Sequence, residues 1–165
     1  MQSSIRPRPP LDAGLAAVRP TEPAAPQPRL SYALARLERA LRKELDERLR
    51  AHGLTVPQFT ALAILSARGE LSNAQLARRC YVTPQSMSEV ILALERDGLI
   101  TRSPDSANRR VLRTALTTRG RETLGACEAL VTQVEEEAFA HLPPAARKRF
   151  GREMVDAVHN LGAGF

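Results

Sequence analysis

Tryptophan is missing from these 165 residues, cysteine occurs twice, histidine three times, and aromatic side chains make up 4 % of the chain. Neither Cys80 nor Cys127 forms a ligand cluster with His52, His141 or His159 at the usual spacings, so no metal and no cofactor is expected. Both cysteines sit in apolar stripes, where a cysteine acts as a small hydrophobe rather than as a reactive thiol. No apolar run approaches the length of a membrane span. The stretch from Leu11 to Val18 is broken by Asp12 and followed by Arg19, which denies it a signal-peptide core. A cytoplasmic protein without a membrane partner is therefore expected. Catalytic signatures are absent too: there is no nucleophile elbow, no phosphate-cradling glycine loop and no zinc-protease helix. Glu135, Glu136 and Glu137 read as a solvated run on a helix, and the chain is expected not to be an enzyme.

What is present is positive charge. The net charge of +6 and an isoelectric point near 10.3 favour an acidic partner such as nucleic acid, through attraction and counterion release. Residues 1–29 hold seven of the twelve prolines and no aromatic residue. That composition predicts a disordered tail to which no function is assigned.

The segment from Leu71 to Gly120 carries most of the information. Ser72 followed three residues later by Gln75 is the spacing of a reciprocal capping box and opens a helix from about Asn73 to Cys80. Tyr81 and Val82 make a turn, Thr83 caps the next helix, and Pro84 suits a first helical position, where its missing N–H has no partner to lose. Along the second helix, to about Asp97, Met87, Val90, Ile91 and Leu94 recur at helical spacing and form a buried face. Gln85, Glu89 and Arg96 point the opposite way, with Ser86 and Ser88 on the flanks. Such a helix-turn-helix lays its second helix in the major groove. There Gln85 can bond adenine bidentately, Glu89 can accept from a cytosine amino group, and the serines can meet several partners. Leu92 also points outward, on a face expected to pack on a neighbouring helix. After Gly98, two strands are expected at Leu99–Arg102 and Val111–Leu116, bridged by the polar segment Ser103–Arg110. Arg109 and Arg110 at the tip of this hairpin suit a narrow A·T minor groove. The DNA-contacting set is thus Ser72, Asn73, Thr83, Gln85, Ser86, Ser88, Glu89, Asn108, Arg109 and Arg110.

The run LARRCYVTPQSMSEVILALERDGLITR followed by NRRVLRTALTTRG resembles the MarR family of winged-helix regulators, and the resemblance covers about Leu30 to Leu161. The family's wing reads Asp, any residue, Arg, five residues, then Leu-Thr. In this chain that register falls on Asn108, Arg110, Leu116 and Thr117, so Asn108 departs from the aspartate that would brace the wing arginine. The resemblance implies a small-molecule effector held between the dimer helices and the winged domain. Matching residues are Tyr32, Arg36, Phe59, Leu62 and Tyr81, an arginine among aromatic walls being suited to a carboxylate. Neither cysteine lies near the start of the first helix, where the family's peroxide sensors carry their thiol.

Outside this segment the chain is helical. A long helix from Leu30 carries Leu34, Leu37, Leu41, Leu45 and Leu49 on one stripe until Gly53. Thr55 and Pro57 start a second helix, which takes Phe59, Leu62, Ala63 and Leu65 to the core. From Thr117 or Thr118 a further helix carries Leu124, Cys127, Val131, Val134, Ala138 and His141 or Leu142 at near-heptad spacing, until Pro143 and Pro144 break it. The last helix bears Phe150, Met154, Val158 and Leu161. These seams exceed what one protomer can cover, and the resemblance likewise implies a two-chain interlock of the first and last helices. The expected dimer interface is Leu30, Leu34, Val131, Val134, Phe150, Met154, Val158 and Leu161. The fold expected is mainly α with a β-hairpin wing: a winged helix-turn-helix domain at 54–117 and a helical dimerisation region at 30–53 and 118–163. The expected function is a homodimeric, sequence-specific regulator of double-stranded DNA, a repressor on a palindromic operator released by a small phenolic or aromatic-acid ligand. Alternatives are an architectural or protein-binding winged helix without ligand control, and a cysteine-based redox regulator.

Overall fold

The computed structural model describes residues 28–162 of the chain. The expected disorder of residues 1–29 therefore falls, apart from Pro28 and Arg29, outside the described residues, as does residue 163. The element order is α1 (Leu30–Arg50), α2 (Val56–Arg68), β1 (Leu71–Ser72), α3 (Asn73–Arg79), α4 (Pro84–Arg96), β2 (Ile100–Pro104), β3 (Leu112–Leu116), α5 (Thr118–Ala138) and α6 (Pro144–Asn160). Four of the helix starts are closed by a hydroxyl. Thr55 and Ser72 form reciprocal capping boxes with Gln58 and Gln75, while Thr83 and Thr117 accept from the N–H groups of Ser86 and Gly120. Each cap satisfies a backbone donor that the first turn of a helix leaves without a partner.

The core lies where α2, α3, α4, the sheet and the first half of α5 meet. Leu62, Leu65, Leu76, Met87, Ile91, Leu94, Ile100, Leu124 and Cys127 are buried together there, and α1 reaches this core near its C-terminal end, through half-buried Leu45 and fully buried Leu49. The sheet has the order β1-β3-β2 and is antiparallel throughout. Leu71 pairs with Thr114 across one side of β3, and Ile100 pairs with Leu116 and Pro104 with Leu112 across the other. The two-residue strand β1 was not expected from the sequence. The first wing strand is shifted towards the tip, losing Leu99 and gaining Ser103 and Pro104, while the second starts one residue later than expected and leaves Val111 outside the ladder. Leu99 instead accepts a hydrogen bond from the Thr117 N–H at 3.1 Å.

Two expectations about the C-terminal half are corrected. Helix α5 ends at Ala138, so neither His141 nor Leu142 continues its seam; the chain turns at Phe139, whose ring packs on Phe150 of α6 at 5.6 Å between centroids. That seam also faces inward rather than towards a second chain. Leu124, Cys127 and Val134 are buried against the helices of the same protomer, Val134 being only 3 % exposed, which removes Val134 from any interface between copies. By contrast α6 has no buried residue. Its Met154 lies across an apolar groove of about 410 Å³ formed by Leu34, Leu37, Leu41, Leu45 and Val56.

Candidate nucleic-acid interface

Between α3 and α4 the chain reverses in four residues, Cys80–Thr83. Tyr81 makes this possible by adopting φ 54°, the left-handed region that side chains other than glycine rarely enter. Val82 N–H then reaches back to the Ala77 carbonyl at 3.1 Å, which closes the end of α3. The Thr83 hydroxyl accepts from Ser86 N–H at 3.1 Å and lies 3.0 Å from the Ser86 hydroxyl, so α4 starts rigidly. Met87, Ile91 and Leu94 fasten one face of α4 into the core, with Val90 half-buried beside them.

The other face divides into two kinds of polar residue. Asn73 donates through Nδ2 to the Ser88 hydroxyl at 2.9 Å and to the Pro84 carbonyl at 3.2 Å, and Ser88 itself donates to that carbonyl at 2.8 Å. Asn73 and Ser88 are therefore joints that set the angle between α3 and α4. The Ser72 hydroxyl is likewise occupied, by the Gln75 N–H. Gln85 and Glu89 are exposed, and their side chains have no hydrogen-bond or ion-pair partner among the described residues. Leu92, expected to pack on a neighbouring helix, is instead 56 % exposed and lines a groove of about 480 Å³ between α4 and the wing. Arg102 of β2 pairs with Glu95 near the C-terminus of α4 and ties the wing to the reading helix; its guanidinium holds the Glu95 carboxyl below the usual range.

At the wing tip a carboxylate stands three residues before the position that the family pattern implied, and it holds Arg113 rather than the pattern's arginine, Arg110. Asp105 pairs with Arg113, and its Oδ1 accepts from the N–H groups of Ala107 and Asn108, each at 2.9 Å. The guanidinium and the two amides hold the Asp105 carboxyl below its ordinary value. Asn108 accepts from the Arg110 N–H at 3.2 Å, so the residue that replaces the family's aspartate still shapes the tip through the backbone. Arg109 and Arg110 are exposed and neither guanidinium has an ion-pair partner among the described residues.

The residues expected to hold an effector do not share one cavity. Leu62 is fully buried in the core, which corrects its assignment to a ligand wall. Phe59 lines a groove of about 330 Å³ together with Ala63, Ile64, Ala67, Arg68 and Arg79; Tyr32, Arg36 and Tyr81 are exposed and do not line it. Arg68 and Arg79 were missed. Each stands in the last turn of its helix, and only the packing of α3 on α2 brings them together. Burial pushes the Cys80 thiol up to about 11 and raises that of Cys127 as well, the opposite of what a redox-sensing thiolate needs. Among the described residues no group of histidine, cysteine and carboxylate side chains is placed to hold a metal, and no helix is long and apolar enough to cross a membrane.

A capped helix pair that exposes polar side chains at the start of its second helix, beside a hairpin tipped with exposed arginines, defines a winged helix-turn-helix protein. The MarR family profile matches residues 54–112. The HTH-type transcriptional repressor Rv2887 of Mycobacterium tuberculosis (strain ATCC 25618 / H37Rv) is 37 % identical over 123 residues, covering 74 % of this chain and 88 % of the relative. The crystal structure of the Mycobacterium tuberculosis MarR family protein Rv2887 in complex with DNA superposes with a TM-score of 0.67 at 35 % identity, covering 78 % of this chain and 96 % of that one. The same protein in complex with p-aminosalicylic acid gives 0.66 at 35 % identity, over 82 % and 99 %. The chain belongs to the MarR family.

Proposed function

We propose that this protein is a homodimeric transcriptional repressor that binds double-stranded DNA sequence-selectively at a palindromic operator and is released by a small aromatic acid. One observation carries the reading. Gln85 and Glu89 stand exposed and without partners among the described residues on the first turns of a helix whose opposite face is locked in the core, and two arginines with no ion pair among those residues project from the adjoining wing. An amide and a carboxylate read base edges, whereas a surface built for indifferent binding would place lysine and arginine there. This favours sequence choice over the architectural alternative. The repressor assignment is supported by the relative's name and by its solved DNA complex.

A second copy is needed because one reading helix covers only half an operator. The apolar residues that α1 and α6 leave uncovered, Leu30, Leu34, Met154 and Leu161 among them, supply the contact surface. A two-fold dimer places half-sites about 10 base pairs apart. For the effector, the groove beside Phe59 offers an apolar wall and two guanidinium groups, Arg68 and Arg79, which suits an aromatic carboxylate. The relative's complex with p-aminosalicylic acid supports that chemistry. Release then requires only that the ligand prefer a spacing of the two reading heads that DNA does not.

The reading is tested by selecting bound duplexes from a random pool at moderate salt. A palindrome with half-sites one turn apart is expected, and binding without a consensus would overturn sequence choice. On the selected site, Gln85→Ala should cost about 1 to 3 kcal/mol at one base position and relax preference there, while Arg110→Ala should weaken all sequences alike and flatten the salt dependence. Adding salicylate should lower occupancy of the site in the wild type and less so in Arg79→Ala.

A further inference from the structure

The wing tip and the helix-turn-helix are bridged by one side chain from β3. Gln75 uses its Oε1 twice: it accepts from the Ser72 N–H at 2.9 Å to close the capping box of α3, and from Arg113 Nη1 at 3.0 Å. Arg113 stands in β3 opposite Ser72 of β1 and Ser103 of β2, so it lies in the middle strand between the reading helices and the hairpin. Its Nε donates to Oδ2 of Asp105. The other oxygen of Asp105 gathers the N–H groups of Ala107 and Asn108, and Asn108 in turn accepts from the N–H of Arg110. Six hydrogen bonds thus run without a break from the N-terminus of α3 to the backbone of Arg110. The Asp105 carboxylate is only 13 % exposed, the best covered of the carboxylates in the ion pairs among the described residues, while Arg113 at 32 % is about as exposed as Arg102 and Arg48 in theirs.

We propose that Arg113 is a positioning residue for DNA binding: through Gln75 and Asp105 it fixes the wing tip, and with it Arg110, relative to the reading helix. The inference rests on the reading of Arg110 as a DNA contact. Arginine suits the task because its planar fork meets acceptors on Gln75 and on Asp105 from two separate nitrogens, Nε and Nη1, whereas a lysine carries all its donors on one nitrogen and would need both acceptors at a single point. An unbraced tip would sample many positions, and Arg110 would reach the minor groove only at an entropic cost on binding.

The test measures affinity of the full chain for its selected duplex across a potassium chloride series, for wild type, Arg110→Ala, Arg113→Gln and the double variant, with circular dichroism as a check of folding. Arg113→Gln is expected to lose about tenfold in affinity and to reduce the salt slope by about one, matching Arg110→Ala. The double variant is expected to be no weaker than Arg110→Ala alone, since the bridge has nothing left to position. Losses that multiply would show that Arg113 touches DNA itself and would overturn the proposal, as would wild-type binding by Arg113→Gln. Wild-type binding by Arg110→Ala would overturn the contact reading and this inference together. If Arg113→Gln fails to fold, Asp105→Asn replaces it. That variant can keep the oxygen that gathers the two amides, but it turns an uncharged NH2 donor instead of an acceptor towards Arg113 and so breaks the bridge there; the same tenfold loss, slope and non-additivity with Arg110→Ala are expected.

Discussion

Gly120 has no room for a side chain. A Cβ built there would stand 2.0 Å from the Leu99 carbonyl oxygen, a backbone atom that cannot move aside. Gly120→Ala should therefore destabilise the fold by about 3 kcal/mol in a urea titration, the upper end of what overpacking costs. Gly125, one and a half turns further along α5, has open space around it, so Gly125→Ala should stabilise by about 0.5 to 1 kcal/mol in the same assay. The pair separates a steric requirement from helix propensity. Cys80, with its thiol pushed up to about 11, should react slowly with iodoacetamide at pH 8, and mild peroxide should leave DNA affinity unchanged. At this scale the sequence was readable wherever the chemistry is local. Ser72, Thr83 and Pro84 announce their caps within three residues, and the structure has them in those places. It was unreadable where a residue's role depends on a distant partner. The tie from Asn73 to Ser88 and the bridge from Gln75 through Arg113 join positions that share no periodicity.

Among the elements, the reading helix and the wing differ in how they are held. Helix α4 depends on its cap, so Thr83→Ala should cost about 1 kcal/mol of stability. The wing depends on charge. Because the Asp105 carboxyl is held below its ordinary value in the folded protein, its ionised form stabilises the tip at neutral pH, and that contribution is lost as the pH falls below about 4 through the folded value. Amide protection factors at Ala107 and Asn108, corrected for the intrinsic pH dependence of exchange, should fall over that acid range while those in the middle of α4, away from Glu95, do not. The boundaries of α3 and α4 were legible to within one residue, since caps and turn residues mark them. Strand β1 was not, because two residues carry no alternation and its pairing with β3 spans more than forty positions. The end of α5 was misplaced for a similar reason: Pro143 and Pro144 are visible stops, but the helix yields earlier so that the Phe139 ring can reach Phe150.

For the molecule as a whole, apolar periodicity showed that α1, α5 and α6 each have a seam but not which seams are already filled. Val134 is covered from within its own chain, while Leu161 is 86 % exposed. Replacing Val158 and Leu161 with aspartate should split the proposed dimer in analytical ultracentrifugation while leaving the melting of the winged domain nearly unchanged, because α6 contributes nothing to the core. DNA affinity should fall steeply with it. A variant that is monomeric and still binds its operator at wild-type strength would refute the dimeric reading.

The contact between Gly120 and Leu99 has a mechanical consequence. Thr117 donates through its N–H to Leu99 and through its hydroxyl to Gly98, so the first turn of α5 is latched to the stretch that leaves the reading helix and enters the wing. Helix α5 has 21 residues and is about 31 Å long, which makes it a stiff lever with its fulcrum beside the DNA-reading head. A tilt of about 5° about that fulcrum sweeps the far end through roughly 2.7 Å, and the same gearing run backwards turns a coarse shift at Ala138 into a fine adjustment of the head.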